Sequence, residues 1–237
     1  MVNLHSACKL DEHKVAKEAM NKKFRIVGTV SHTQTLKDLL KNPEELKYCD
    51  AVELRFDQFM DKLECLQLCK DIRRHKQILL TIRTEREGGT WDISDSERFK
   101  LFEFFAPHVD MIDIELKSEL FATHKRNEFP KNLEVVTSFH NYDDTPSEQE
   151  ITSLISSGKK WGADIIKLAV FTHNSADVKL LETFLSEENI CLIGMGPEGL
   201  ITRTGFPLKG SVLTYGFLDN SAAPGQVSAK ELSRLLN

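Results

Sequence analysis

Lys167 stands inside ADIIKLAVF (163–171), flanked by Ile165, Ile166, Leu168 and Ala169. A stretch this apolar keeps water from the amine, and desolvation favours the uncharged form, which is the form that attacks a carbonyl to make a Schiff base. The position fits a structural ion pair with an interior carboxylate such as Glu115 equally well. His140 ends the preceding apolar run, LEVVTSFH (133–140). If the two runs are neighbouring parallel strands, about 4.8 Å apart, its imidazole is close enough to Lys167 to act as general acid or base. A lone half-buried histidine more often just bonds to backbone, so it is the adjacency to Lys167 that favours catalysis. Arg55, Arg83 and Arg203 end or follow other apolar runs. Together they would make a local carboxylate or phosphate site, whereas singly each pairs with an acid such as Glu53 or Glu87. Asp143 and Asp144 read as turn and cap residues.

Eight short β-branched or apolar runs recur along the 237 residues, at 24–30, 51–57, 77–83, 109–116, 133–140, 163–171, 190–196 and 211–217. Segments of helical period lie between them, among them 94–105, 147–157 and 228–236, which open on Ser94, Ser147 and Ser228, and a helix start is expected after Thr145 and Pro146, where Pro146 suits the first turn and Glu148 and Glu150 complement the dipole. Alternating strands and helices predict a parallel sheet buried on both faces. Eight units of about 30 residues predict an α/β fold, a single-domain (β/α)8 TIM barrel over residues 23–237. An open doubly wound sheet is the alternative that periodicity alone does not remove. Residues 1–22 stand outside the rhythm as an extension of helical composition that either packs on the barrel or frays. Barrel active sites lie at the C-terminal ends of strands. Glu53, Arg55, Arg83, Glu87, Asp113, Glu115, His140, Lys167 and Arg203 all fall at or just past such ends.

Composition narrows the partners. With 31 basic against 36 acidic residues and a net charge of −5, nothing attracts a polyanion, so no nucleic acid is expected and any anion must be met by a few arginines. No apolar run approaches the roughly 20 residues of a membrane span. Five scattered cysteines and an N-terminus without an apolar segment point to a reducing cytoplasm. Cys65 and Cys69, four apart, read as a buried helix face, and no metal site is expected. Gly194, Gly196 and Gly199 spell G-x-G-x-x-G, with Asp219 about 20 residues on, as a dinucleotide fingerprint asks. Gly205 and Pro207 break the helix it should open, too little chain follows, and the unit falls seventh of eight, so a nucleotide role is rejected.

Read together, ELRFD (53–57), TIRTEREGGT (81–90), MIDIEL (111–116), VVTSFHNYDDTP (135–146), GADIIKLAV (162–170), MGPEGLITR (195–203) and SAAPGQ (221–226) resemble type I 3-dehydroquinate dehydratase, the Schiff-base enzyme of the shikimate pathway. The match runs in order from about residue 23 to the end. The resemblance implies that Lys167 forms an imine with the C3 ketone of 3-dehydroquinate and that His140 removes a C2 proton and helps the C1 hydroxyl leave. It implies that Glu87 orients and charge-tunes His140. Glu53, Arg55 and Arg83 would hold ring hydroxyls, and Arg203 with Gln226 the carboxylate. It implies no cofactor and a homodimer. The chain departs from the family's Ser-Ala-Pro-Gly-Gln at Ala222, with Ser221 one residue earlier, and residues 1–22 lack the strand-like pattern of the family's N-terminal hairpin.

The enzymatic rival is another lysine-imine barrel, such as a class I aldolase, whose phosphorylated substrate would need the GMGPEG stretch (194–199) as a phosphate cradle. A non-catalytic binding barrel is disfavoured, because it gains nothing from a buried lysine, an adjacent histidine and an arginine cluster together.

Overall fold

The computed structural model describes residues 24–58, 61–221 and 223–237. The extension over residues 1–22, including Cys8, and Ala222 lie outside them. Among the described residues eight strands alternate with eight α-helices: β1 Arg25–Val30, α1 Thr33–Lys41, β2 Ala51–Arg55, α2 Lys62–Ile72, β3 Gln77–Thr81, α3 Asp95–Phe105, β4 Met111–Glu115, α4 Glu119–Thr123, β5 Glu134–Asn141, α5 Glu148–Trp161, β6 Ile165–Phe171, α6 Ser175–Thr183, β7 Ile190–Met195, α7 Leu200–Gly205, β8 Leu213–Phe217 and α8 Ala229–Leu236. All strand pairs are parallel, in the order β7-β6-β5-β4-β3-β2-β1-β8. The seam between β7 and β8 is drawn together at its base. Val212 N–H donates to Ile190 O at 2.8 Å, and Leu192 N–H donates to Ser211 Oγ at 3.2 Å. The sheet therefore curls into a nearly closed (β/α)8 barrel, as the eight-fold rhythm predicts, and not into an open sheet.

The helices start where short polar side chains can accept orphan amides. Asp61 accepts from Glu64 N–H, Ser94 forms a capping box with Glu97, and Ser147 and Ser228 accept from Glu150 and Glu231. The helix after Thr145 and Pro146 starts at Ser147 as expected, but Pro146 is not in its first turn. Pro146 lies before the cap, and Thr145 Oγ1 donates to Phe171 O at 2.7 Å, tying the loop to β6.

Strand side chains alternate between two apolar layers. The outward set packs under the helices, with Leu54, Ile78, Ile112 and Val135 in one cluster and Leu168, Val170 and Leu192 in another. The inward set begins with Val27, Ala51, Leu79, Met111, Val136, Ile165, Cys191 and Leu213, which plug the barrel. The floor below carries an Arg25–Glu134 pair with N–O distances of 2.7 and 2.8 Å. Because the period is two, the next inward residues up the strands are Thr29, Glu53, Thr81, Asp113, Ser138, Lys167, Ile193 and Tyr215. Arg55, Arg83, Glu115, His140, Ala169 and Met195 follow above them. Polarity rises along each strand toward its C-terminal end.

The glycine run at the end of β7 serves packing. A Cβ on Gly199 would lie 2.3 Å from the Gly194 carbonyl carbon, and Gly196 has φ +81°. The two backbones touch so that the strand can turn directly into α7. Gly199→Ala should lower stability by about 2 kcal/mol or more, because neither backbone can yield without moving β7 or α7. Urea unfolding of the variant checks this, and an unchanged midpoint would show that the approach relaxes freely.

Candidate active site

Thr29, Glu53, Arg55, Arg83, His140, Lys167, Arg203, Tyr215 and Gln226 line one pocket at the C-terminal mouth, with Met195 and Ala223 at its apolar side. Seven of the eight residues singled out from sequence are therefore brought onto one wall. The eighth, Glu87, stands behind His140 and borders an adjoining cavity.

Lys167 is buried, and its Nζ lies 3.2 Å from Asp113 Oδ2. That overturns Glu115 as its partner. Glu115 instead accepts from Thr84 N–H at 2.8 Å, pairs with the buried Arg98, and lies 3.4 Å from Arg83 Nη1. Asp113 is fully buried and shared: Arg83 Nη1 is 3.0 Å from its Oδ1, and Ser138 Oγ donates to the same oxygen. Burial alone would raise the Asp113 carboxyl, but the Arg83 and Lys167 cations hold it well below the usual carboxylate range. It stays ionised inside the barrel.

His140 sits one layer above Lys167 on the neighbouring strand, since Ser138 pairs with Lys167 and His140 with Ala169 across β5 and β6. Glu87 Oε2 accepts the His140 backbone N–H at 3.0 Å and lies 2.8 Å from Nδ1. Burial pushes the Glu87 carboxyl up to about 8, with Arg83 opposing. Burial, followed by Arg83 and Lys167, pushes His140 well below its ordinary value. Nδ1 is held by Glu87, so Nε2 is the ring nitrogen left for the pocket, and it can act as a general base in the tautomer that carries its proton on Nδ1.

The three arginines differ. Arg55 is committed to Asp57, with Nε to Oδ1 at 3.0 Å and Nη2 to Oδ2 at 2.8 Å, and it also donates to Gly88 O. Arg83 serves Asp113, Glu115 and Ser138 Oγ, the last at 2.8 Å. Burial would lower the Arg83 pKa, yet these carboxylates hold it well above the ordinary value. Among the described residues Arg203 has no acid beside it. Its Nη1 donates to Tyr215 O at 3.1 Å, while Nε and Nη2 have no partner among the described residues. Desolvation accordingly lowers it to about 10. One cation of the expected cluster is thus unmatched, and an anion in the pocket would match it. Glu53 accepts from Thr29 and Thr81 hydroxyls, both at 2.8 Å, which aims it at the pocket centre.

The last loop closes one side. Pro224 O accepts from Gly196 N–H at 3.1 Å, and Asp219 Oδ2 accepts from Ser31 and His32 N–H at 2.9 and 3.1 Å. This docking brings Ala223 and Gln226 to the pocket, while Ser221 Oγ donates to Ala223 O within the loop. Asp143 and Asp144 donate their amides to Asn141 Oδ1 in a turn. Cys65 and Cys69 are buried thiols on α2, and among the described residues no three His, Cys, Asp or Glu side chains gather to hold a metal. No described helix is long and apolar enough to cross a membrane.

The reading from sequence missed Tyr215 and Ser138 because it weighed only charged groups and histidine. Both lie on the inward parity of their strands, and that signal would have found them. Asp113 was on the page, but its partner could not be chosen without the barrel.

The family model for type I 3-dehydroquinase matches residues 29–237. The 3-dehydroquinate dehydratase of Methanococcus maripaludis strain C6 is 36% identical over 201 residues, 81% of this chain and 89% of that protein. That of Thermodesulfovibrio yellowstonii is 32% identical over 203 residues, 83% of this chain and 88% of that one. The crystal structure of the 3-dehydroquinate dehydratase from Aquifex aeolicus superposes with a TM-score of 0.78 at 32% identity, covering 89% of this chain and 96% of that one.

The Glu87 carboxyl makes stability depend on pH. Its folded value of about 8 exceeds the ordinary 4.5, so its contribution is full below about pH 4.5 and lost as pH rises through about 8. Glu87→Gln cannot ionise. Its melting temperature should therefore rise relative to the parent between about pH 5 and about pH 9, and a flat difference in thermal melts would contradict the burial effect.

Proposed function

The chain belongs to the type I 3-dehydroquinase family, hydro-lyases that dehydrate 3-dehydroquinate, and from that premise we propose that Lys167 and His140 carry the reaction through an imine. Lys167 Nζ passes an ammonium proton to His140, the free amine adds to the C3 ketone, and return of that proton to the carbinolamine hydroxyl lets it leave as water, giving a protonated imine. His140 Nε2 takes a C2 proton while the electron pair moves into the imine to give an enamine. The enamine electrons return to expel the C1 hydroxyl, which takes the proton back from His140 and departs as water. Hydrolysis of the conjugated imine frees 3-dehydroshikimate and the amine, so the sum is loss of one water. Glu87 holds His140 through Nδ1 and so directs Nε2 to the reacting carbon.

The observation that carries this reading is that Lys167, His140 and the unmatched Arg203 open on one pocket. Arg203, with Gln226, receives the substrate carboxylate, and Glu53, Arg55 and Arg83 meet the ring hydroxyls. The aldolase reading loses its phosphate cradle. The Gly196 amide already donates to Pro224 O, and the Gly199 amide donates to Gly196 O at 3.2 Å. Family membership also supports a cytoplasmic homodimer serving the shikimate route to aromatic amino acids, and residues 23–237 as the catalytic domain.

Borohydride added during turnover of 3-dehydroquinate should leave a reduced adduct that peptide mass mapping places on Lys167. No adduct, together with no rise in enone absorbance, would sink the proposal. His140→Ala should still give the trapped adduct while its dehydration rate falls by about 100-fold or more, as expected for losing a general acid–base group. A variant that dehydrates at the parent rate would remove His140 from the mechanism.

A further inference from the structure

Tyr215 is not used by the mechanism above, yet it is among the most enclosed residues of the pocket. Only 4% of it is exposed, and its hydroxyl has no hydrogen-bond partner among the described residues. Its ring comes from β8 and Asp113 from β4, strands that lie to either side of β6 in the barrel, and Lys167 Nζ is 4.3 Å from the ring centroid and 3.2 Å from Asp113 Oδ2. An unpartnered buried hydroxyl costs about 1–3 kcal/mol, so its retention in the pocket wall points to a partner that arrives with the ligand. A ring face at that distance attracts a cation through its quadrupole, most strongly where water is excluded. Arg203 Nη1 donates to the Tyr215 carbonyl, so the ring and the unmatched guanidinium are fixed to each other.

Resting on the imine reading above, we infer that Tyr215 is a substrate-contacting and charge-positioning residue of the imine step. Its ring face holds the positive nitrogen of the protonated imine in place, and its hydroxyl donates a hydrogen bond to an oxygen of the bound substrate. Nζ is positive as the resting ammonium and again as the iminium, while the geometry around it changes from tetrahedral to planar. A carboxylate hydrogen bond such as that of Asp113 depends on N–H direction, and an iminium keeps only one N–H. A ring face has no such requirement and attracts both forms. The groups around Nζ are Asp113 from β4, Arg83 from β3, His140 from β5 and Cys191 from β7, with Tyr215 from β8. Arg83 is a fixed cation in this set, so the nitrogen needs attraction from more than one side.

Two sets of full-chain variants separate the parts. Tyr215→Phe removes only the hydroxyl. It should raise KM for 3-dehydroquinate by about three- to tenfold, the range of one lost hydrogen bond, and leave the fraction of protein trapped as imine at saturation unchanged. The second set replaces Tyr215 by 4-fluoro-, 3,5-difluoro- and 3,4,5-trifluorophenylalanine, which keep the ring's shape and progressively weaken its negative face. The trapped fraction and kcat should fall stepwise relative to Tyr215→Phe, reaching about tenfold at the trifluoro ring. A flat series, in a parent that does trap imine on Lys167, overturns the ring's role and leaves the imine mechanism standing. An unchanged KM in Tyr215→Phe overturns the hydroxyl contact. Failure of the parent to trap any imine removes the mechanism itself.

Discussion

An ionised carboxylate sealed inside the barrel organises the site. Asp113 has no exposed surface, and a charge there is tolerable only when cations and donors surround it. Arg83, Lys167 and Ser138 supply them from three different strands. Removing any one would leave the rest with unmatched charge, so the positions of Lys167 and Arg83 follow from that of Asp113. Arg83 in turn biases both members of the Glu87–His140 pair, and the same interior charge arrangement sets the amine and the base.

The outer charges are handled separately. Arg98, buried behind the strands, neutralises Glu115 and donates to Ile82 O, while Arg55 and Asp57 satisfy each other. These pairs hold loops to strand ends and take no charge from the pocket. Arg203 is the exception. It sits in the last turn of a short helix that the Gly194–Gly199 contact presses against β7, where no acidic side chain among the described residues reaches it. The same glycine run receives the last loop at Gly196. A stretch that spells a nucleotide fingerprint is thus spent on two close backbone approaches, one placing Arg203 and the other the loop that carries Gln226.

Much of this was legible from residue order. The strand runs were visible because parallel strands buried on both faces are apolar along their length, and Lys167 and His140 stood out because they interrupt such runs. The helix caps at Ser94, Ser147 and Ser228 were readable from local side-chain chemistry. The family resemblance assigned roles that spacing alone left open. The partner of Lys167 was not legible: Asp113 and Glu115 are two residues apart on the same inward face, and which layer meets Lys167 depends on the stagger between β4, β5 and β6.

The sequence by itself determined the number of units, the alternation that builds the barrel, and which residues carry chemistry, because these depend on local periodicity and on the cost of burying polar groups. Only the tertiary structure decided which charges are already matched. Arg55, Arg83 and Arg203 look alike in a string of letters. Asp57, two residues on, turns back to meet Arg55, the β3–β4 register brings Asp113 to Arg83, and Arg203 is left facing the pocket with no carboxylate among the described residues. Closure of β7 toward β8 also sets the Tyr215 ring against Lys167, since β6 and β8 lie to either side of β7 once that seam closes.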